Sequence, residues 1–221
     1  GGPGDGCPAG SVGPDPGGNC YLRDTWSFST STGSFTEITP AVIAPDARRG
    51  AMVYNSSRDI ATLFFTDPNA TDDRRQAIWE YDPGANTWYP ILDTNRPAPT
   101  TAHAQAYDSN ADVYVHFGGY RALADDSDSC EGGVVAVEGH CWHRDTWEFY
   151  PATQTWVEVV TPGPTERKDH AMVYSTKQNR TLLFGGTNSA SGNCLGSECY
   201  FDESWEYDAS SKFWTETTGA D

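Results

Sequence analysis

The segment RDTWEFYPATQTWVEV, residues 144–159, shows the pattern that decides the fold. Trp147 is followed nine residues later by a second tryptophan, Trp156, and polar and apolar residues alternate on both sides of the sequence PATQ. Alternation on either side of a short turn-forming sequence is typical of a β-hairpin. The segment therefore predicts two antiparallel strands that each carry one of the spaced aromatic side chains.

The same pattern occurs in three further segments, which align with residues 144–159 without gaps. They are DTWSFSTSTGSFTEI (24–38), AIWEYDPGANTWYPI (77–91) and ESWEYDASSKFWTET (203–217). In each one an aromatic residue follows a tryptophan at a distance of nine, and the pairs are Trp26 and Phe35, Trp79 and Trp88, and Trp205 and Trp214. Recurrence at a fixed spacing is the sequence signature of a repeat architecture.

A second repeated pair of strands lies between these hairpins. It is found at 48–65, 101–119 and 168–186, where a phenylalanine stands ten residues after a tyrosine. The pairs are Tyr54 and Phe64, Tyr107 and Phe117, and Tyr174 and Phe184. A Gly-Gly pair ends the later two copies, whereas the first copy has Phe and Thr at 65–66. The repeating unit is therefore four strands long, and we expect a different turn after the second strand in the first copy.

A four-stranded unit with a double glycine after its second strand and a spaced aromatic pair in its last two strands resembles the kelch repeat. The resemblance covers nearly the whole chain and implies an all-β fold, a kelch-type β-propeller of four-stranded antiparallel blades. We expect three full blades at about 45–93, 97–160 and 164–218 and half of another at 1–40. Because the half blade lacks its inner strands, we expect 1–221 to be a single propeller segment of a longer native chain.

Composition limits the classes of partner. The 31 Asp and Glu residues outnumber the 14 Lys and Arg residues and give a formal charge of -17, which would repel nucleic acid and anionic lipid surfaces. We therefore expect no nucleic-acid partner. The sequence contains no apolar run long enough for a transmembrane helix and no recognisable signal peptide, so direct membrane insertion is not predicted.

The repeat also places the six cysteines. Cys20, Cys141 and Cys199 each stand six residues before a repeat tryptophan, and each loop holds an earlier cysteine at a variable distance. A disulfide tolerates loops of different length, whereas zinc sites require a regular ligand spacing. We therefore expect the disulfides Cys7–Cys20, Cys130–Cys141 and Cys194–Cys199. Since disulfides persist in oxidising compartments, we expect an extracellular protein that is secreted or displayed on a surface.

Metal binding is the alternative interpretation of one of these loops. Histidine and thiolate suit zinc or copper, so His140, Cys141 and His143 are candidate ligands, but the other copies carry no histidine at these positions. An acidic loop could supply oxygen ligands to calcium, although it lacks EF-hand spacing and is more simply a solvated loop: Asp125, Asp126 and Asp128. No other cofactor is predicted.

The family topology implies that the loops between strands two and three lie on the same face as the loops that lead to the next blade. Loops on a rigid scaffold commonly carry binding residues, and aromatic residues and arginine are enriched in binding hot spots. The candidate binding residues are Tyr21, Arg48, Arg49, Tyr120, Arg121, Trp142, Arg144 and Tyr200. The alternative is that these side chains only shield the blade cores. For His103 and His170, which begin inner strands, we expect structural hydrogen bonds.

These observations predict an extracellular, non-catalytic binding or assembly module that contacts a protein partner or another copy of itself. The alternatives are a building block of a filament or coat and a lectin-like propeller that stacks glycans on exposed aromatic rings. A galactose-oxidase-like enzyme also uses a kelch propeller, but each cysteine here has a partner in its loop, so we expect no catalysis. Sequons at Asn55, Asn69 and Asn179 are candidate glycosylation sites, and Asn55 and Asn179 are expected in exposed turns.

Overall fold

The computed structural model describes residues 20, 22–45, 47–66, 76–122, 130, 135–137, 140–188 and 199–217. These residues form strands joined by turns and irregular segments. Nothing in this part of the chain is a helix long and apolar enough to cross a membrane. The prediction of an all-β fold is therefore confirmed.

The first two strands form a separate two-stranded sheet, and the next four form the first complete blade. The hairpin consists of β1 (Thr25–Ser29) and β2 (Ser34–Ile38). Blade A consists of β3 (Arg48–Asn55), β4 (Ile60–Thr66), β5 (Gln76–Asp82) and β6 (Thr87–Ile91), which pair in this order and antiparallel. In blade A the strands thus follow the order predicted from the repeat.

Two further blades continue the chain, each with a short extra sheet between its second and third strands. The chain next forms β7 (Ala104–Asp108), β8 (Val113–Phe117), β9 (Tyr120–Ala122), β10 (Val135–Val137), β11 (His140–Trp142), β12 (Thr146–Tyr150) and β13 (Thr155–Val159). Blade B is β7, β8, β12 and β13, and β9 to β11 form a separate three-stranded sheet. The last strands are β14 (Ala171–Ser175), β15 (Arg180–Phe184), β16 (Thr187–Asn188), β17 (Cys199–Tyr200), β18 (Ser204–Asp208) and β19 (Phe213–Glu216). Blade C is β14, β15, β18 and β19, and β16 pairs with β17.

The backbone conformation of the turns between the first and second strands explains why aspartate occurs there. Asp59 and Asp112 close two of these turns with φ values of 55° and 52°. Aspartate and asparagine enter this left-handed region more readily than other residues with a side chain. Each turn aspartate also accepts a hydrogen bond from the tyrosine five residues earlier, from Tyr54 at 2.6 Å and from Tyr107 at 2.7 Å. The repeated tyrosine therefore stabilises the turn that follows its strand.

The hydrophobic core is divided between the blade interfaces. One buried cluster joins blades A and B and contains Phe64, Ile78, Ile91, Tyr107, Tyr114, Phe149 and Trp156. A second cluster joins blades B and C and contains Val113, Val115, Phe117, Leu183, Tyr207, Ala209 and Trp214. Blade B contributes to both clusters, so its strands β7 and β8 are buried at every position.

A tryptophan in the fourth strand of each blade also bonds to the element before it. The indole Nε1 of Trp88 donates to Thr25 Oγ1 at 2.9 Å, and that of Trp214 donates to Thr146 Oγ1 at 2.9 Å. Blade A has Ile78 at the position of these threonines, and there Trp156 donates to a different residue of the preceding segment, Asp93, at 2.7 Å. We call these indole hydrogen bonds between neighbouring elements the joints between blades.

The structure corrects one predicted glycosylation site. Asn55 is fully buried, because its Nδ2 donates to the Tyr114 hydroxyl at 2.9 Å and its Oδ1 accepts the backbone N–H of Arg58 at 3.0 Å. The prediction that Asn55 lies in an exposed turn is therefore wrong. Asn179 is exposed, and its glycosylation stays a prediction. Asn69 lies outside the described residues.

Candidate binding face

The extra sheet of blade B is held by a disulfide. Cys141 lies in the central strand β11, is fully buried and is bonded to Cys130, with the two Cα atoms 5.5 Å apart. The structure therefore contains the predicted Cys130–Cys141 pair. Cys20 and Cys199 are disulfide-bonded as well. Their predicted partners, Cys7 and Cys194, lie outside the described residues.

The disulfide removes Cys141 from the candidate metal ligands of this loop. The sulfur of Cys141 is bonded to another sulfur and is not a thiolate ligand, and His143 Nδ1 lies 3.2 Å from the carboxylate of Asp145. Within the described ranges, no three His, Cys, Asp or Glu side chains come together as a metal ion would require. The calcium candidates Asp125, Asp126 and Asp128 fall outside these ranges.

Trp142 is buried, so the prediction that it is an exposed binding residue is wrong. Its side chain is 3% exposed and its ring stacks on Tyr120, with centroids 5.5 Å apart and an interplanar angle of 25°. The ammonium of Lys168 lies 5.6 Å from the Trp142 ring and 5.0 Å from the Tyr120 ring, where a cation is attracted to the aromatic face. Lys168 belongs to the segment that enters blade C. The following blade therefore covers Trp142.

Two other candidates are exposed, as expected of binding residues. Tyr200, in β17, is 80% exposed, and Arg144 is exposed directly before β12. Arg121 is half-buried in β9. Arg48 and Arg49 lie in β3, and Tyr21 is outside the described residues.

Arg144 borders an open pocket of about 480 Å³ at the end of the β12–β13 hairpin. The opposite wall is the segment 160–164, Val-Thr-Pro-Gly-Pro. The hairpin pairs Thr146 with Val159, and this register, continued by two residues, places Arg144 opposite Thr161. The pocket thus follows from the strand pairing, with a cation on one wall and a proline-rich loop on the other.

Trp214 of blade C supports both walls of this pocket. A Cβ atom on Gly163 would lie 2.7 Å from Cδ1 of the Trp214 indole, so the loop can lie this close only because residue 163 is glycine. The same indole bonds to Thr146, two residues after Arg144. One buried ring therefore fixes the positions of the two walls. We use the term loop face for the bridged sheet β9–β11, the Arg144 pocket and Tyr200.

Arg167 is a buried residue that the sequence interpretation missed. Its guanidinium is fully buried, pairs with Glu203, donates to the Gly185 carbonyl oxygen at 2.9 Å and lies 4.3 Å from the centre of the Phe201 ring. Burial lowers the pKa of Arg167, and the neighbouring Glu203 opposes this effect. An acidic residue precedes the repeat tryptophan by two positions in three copies, at Asp24, Asp145 and Glu203. Glu203 pairs with the buried cation, whereas Asp24 and Asp145 accept the indole N–H groups of Trp26 and Trp147 at 2.6 Å. The recurring acidic residue was therefore not a specific signal for Arg167.

Four of the five histidines of the chain are buried near the inner strands of blades B and C. The rings of His103 and His116 are 4.8 Å apart, and His103 Nδ1 donates to the Thr100 carbonyl oxygen at 2.8 Å. Burial lowers the pKa of His103 to about 4 and the pKa of His170 to about 3. Burial, together with His103, His143 and His170, also holds the pKa of His116 well below its usual value. His103, His116 and His170 are therefore neutral near pH 7.

Comparisons with known proteins were consistent with the repeat. No protein-family model matches the chain. Kelch domain-containing protein 10 of Rattus norvegicus is 30% identical over 111 residues, which are 50% of this chain and 26% of that protein. The Homo sapiens protein of the same name is 29% identical over 110 residues, 50% of this chain and 24% of that protein. The match thus spans about a quarter of the length of these relatives.

A solved structure of the protein YjhT is similar in fold to this chain. It aligns with 89% of this chain and 52% of its own, with a TM-score of 0.56 and 16% identity, so the likeness concerns the fold alone. The consecutive four-stranded sheets and their joints define a β-propeller architecture. The repeated sequence pattern and these relatives support the kelch-repeat family that the sequence predicts.

Proposed function

We propose that this chain is a non-catalytic module that binds a protein partner through its loop face. The observation that carries the proposal is the disulfide-fixed sheet β9–β11, whose strand β11 ends at Trp142, two residues before Arg144 of the pocket. Kelch repeats generally mediate protein–protein interactions. A rigid scaffold with an exposed tyrosine and an exposed arginine has the composition of a binding hot spot.

The state of the candidate catalytic groups supports a non-catalytic role. Cys141 is a disulfide sulfur, and burial keeps the imidazoles of His103 and His170 neutral and out of solvent. A general base has to reach the proton that it abstracts and to titrate near the working pH, and these two histidines meet neither condition.

We further propose that the protein works in an oxidising, extracellular location. The support is chemical: Cys130 and Cys141 are bridged, Cys20 and Cys199 are disulfide-bonded, and such bonds persist mainly outside the reducing cytosol. Mass spectrometry of peptides from the protein isolated from its source, alkylated before any reduction, tests this location. Recovery of Cys130 and Cys141 as alkylated free thiols would contradict it.

The binding proposal is tested by isolating a partner from the extracellular fraction of the source and measuring the affinity of the purified pair by calorimetry. We expect Tyr200→Ala and Arg144→Ala each to raise Kd at least tenfold, which corresponds to about 1.4 kcal/mol. Lys177→Ala and Gln178→Ala are matched controls in the exposed turn before β15, at the other end of the blade, and should change Kd less than twofold. Weakening by the control substitutions and not by the loop-face substitutions would overturn the proposal.

A further inference from the structure

We propose that the Arg144 pocket binds a carboxylate side chain of a short acidic peptide segment. This inference rests on the proposed function, because it assigns a ligand chemistry to one site of the loop face.

Within the part of the chain that the structure describes, the guanidinium of Arg144 has no carboxylate partner, unlike several other arginines. Arginines elsewhere pair with acidic side chains: Arg58 with Glu80, Arg96 with Asp93, Arg167 with Glu203 and Arg180 with Asp208. Among the described residues, no carboxylate forms an ion pair with Arg144, although the sequence contains 31 Asp and Glu residues. A planar guanidinium is suited to a two-point hydrogen bond with a carboxylate. The structure thus leaves this capacity to a ligand.

The opposite wall selects for an apolar group next to the carboxylate. Val160 is 92% exposed, and Pro162 and Pro164 contribute ring carbons. The described lining residues include no acidic side chain that would repel an incoming anion. The arrangement fits a glutamate or aspartate that pairs with Arg144 while a neighbouring apolar residue of the ligand packs on Val160 and Pro162.

Both walls are fixed before a ligand arrives, which reduces the entropy cost of binding. The Pro162 and Pro164 rings restrict the backbone, and Gly163 lies directly on the buried Trp214 ring. The net charge of -17 opposes a strongly acidic partner at long range, but at physiological ionic strength charges more than about 8 Å apart are largely screened. A short segment with one or two carboxylates therefore fits better than an extended acidic surface.

The test uses the peptide acetyl-Val-Glu-Val-Glu-amide and its uncharged analogue acetyl-Val-Gln-Val-Gln-amide. Binding is followed by NMR titration of the folded chain, with the Nε–Hε signal of Arg144 as the direct reporter. We expect the glutamate peptide to shift this signal and to bind at least tenfold more tightly than the glutamine peptide. Equal binding of the two peptides, or binding that leaves the Arg144 signal unchanged, would overturn the proposal.

Two substitutions and one control make the test specific. Arg144→Gln should weaken the glutamate peptide at least tenfold, and Val160→Asp should do the same by placing a carboxylate beside Arg144 at an exposed position. Arg180→Gln makes the same charge change at the start of β15, where the side chain pairs with Asp208 at 3.1 Å, and should change Kd less than twofold. An equal effect of Arg180→Gln and Arg144→Gln would indicate general charge attraction and overturn the proposal.

The peptide experiments and the partner experiments can fail independently of each other. If the glutamate peptide does not bind while Tyr200→Ala still weakens the isolated partner, the carboxylate assignment is wrong and the loop face remains a binding surface. If the peptide binds at Arg144 while the partner is insensitive to every loop-face substitution, the pocket has the proposed chemistry and the proposed function is wrong.

Discussion

At the scale of single residues, Thr146 shows how one hydroxyl group joins two blades. Its Oγ1 accepts the indole N–H of Trp214 at 2.9 Å, and both side chains are buried. Thr146→Val keeps the shape but leaves the donor without a partner, which costs about 1–3 kcal/mol. We expect urea denaturation to show this loss in the free energy of unfolding. Thr215→Val, at an exposed position of β19, should cost less than about 0.5 kcal/mol, and an equal loss in the two variants would contradict the joint.

Glu148 is a second residue on which the contact between blades B and C depends. Its buried carboxylate accepts hydrogen bonds from Tyr207 at 2.9 Å and Tyr150 at 2.6 Å and pairs with Lys212. Removing one partner of a buried pair costs about 3–5 kcal/mol, and because Lys212 is partly exposed we expect Glu148→Gln to cost about 2 kcal/mol.

A double-mutant cycle checks this assignment by chemical denaturation. Glu148→Gln and Lys212→Met should together cost less than the sum of the two single changes, with a coupling of about 1 kcal/mol. Strict additivity would show that the ion pair does not contribute and that Glu148 acts through the tyrosine hydroxyls alone.

At the scale of the element, we expect the stability of the sheet β9–β11 to depend on its disulfide. The bridge joins residues separated by 11 positions, and closing a loop of this size stabilises the folded state by about 3 kcal/mol. Replacing Cys130 and Cys141 together by Ala should therefore raise amide hydrogen exchange in β11 by about a hundredfold. Strand β12 belongs to blade B and serves as the internal control. Unchanged exchange in β11, or an equal increase in β12, would show that the bridge does not stabilise this sheet locally.

Strands and hairpins could be predicted from the sequence because they depend on local patterns. Alternation, turn residues and the spacing of Trp147 and Trp156 lie within one segment of the chain. Burial could not be predicted in the same way. Trp142 is covered by Lys168 of the next blade, and Asn55 bonds to Tyr114, which is 59 residues away. A turn or loop that looks exposed in one repeat can thus be buried by its neighbour.

The candidate site was also predictable only in part. Arg144 and Tyr200 could be selected by residue type and loop position, since exposed arginine and tyrosine are common in binding surfaces. The pocket beside Arg144 could not, because it requires the strand register that sets Arg144 opposite Thr161 and the contact of Gly163 with Trp214. Both features join parts of the chain whose packing no local pattern specifies.

At the scale of the whole molecule, the buried histidines predict sensitivity to acid. The pKa of His103 is about 4 and that of His170 about 3 in the folded protein, whereas a histidine in the unfolded chain has a pKa of about 6.5. Below about pH 6.5 the unfolded chain therefore binds more protons than the folded one, and the free energy of unfolding decreases. Each such histidine costs up to about 1.4 kcal/mol per pH unit until its folded-state pKa is reached. We expect a loss of several kcal/mol in urea denaturation between about pH 6.5 and 4.5.

His116 provides the variant that tests this origin. Its Nδ1 accepts the side-chain N–H of Gln105 at 2.8 Å, and the oxygen of an asparagine can take over that role. His116→Asn should reduce the slope of unfolding free energy against pH by about one proton between pH 6.5 and 4.5. A slope identical to that of the unaltered protein would assign the acid sensitivity to other groups.

The joints between blades also bear on how such an array can grow. In each joint the donor indole belongs to the later element and the acceptor to the earlier one. The pairs are Trp88 and Thr25, Trp156 and Asp93, and Trp214 and Thr146. A tandem duplication of a complete blade would therefore bring its own donor for the blade before it and its own acceptor for the blade after it. Neither junction would contain an indole N–H without an acceptor. Gene duplication can thus lengthen this architecture one blade at a time, with the orientation of every new copy set by its own tryptophan.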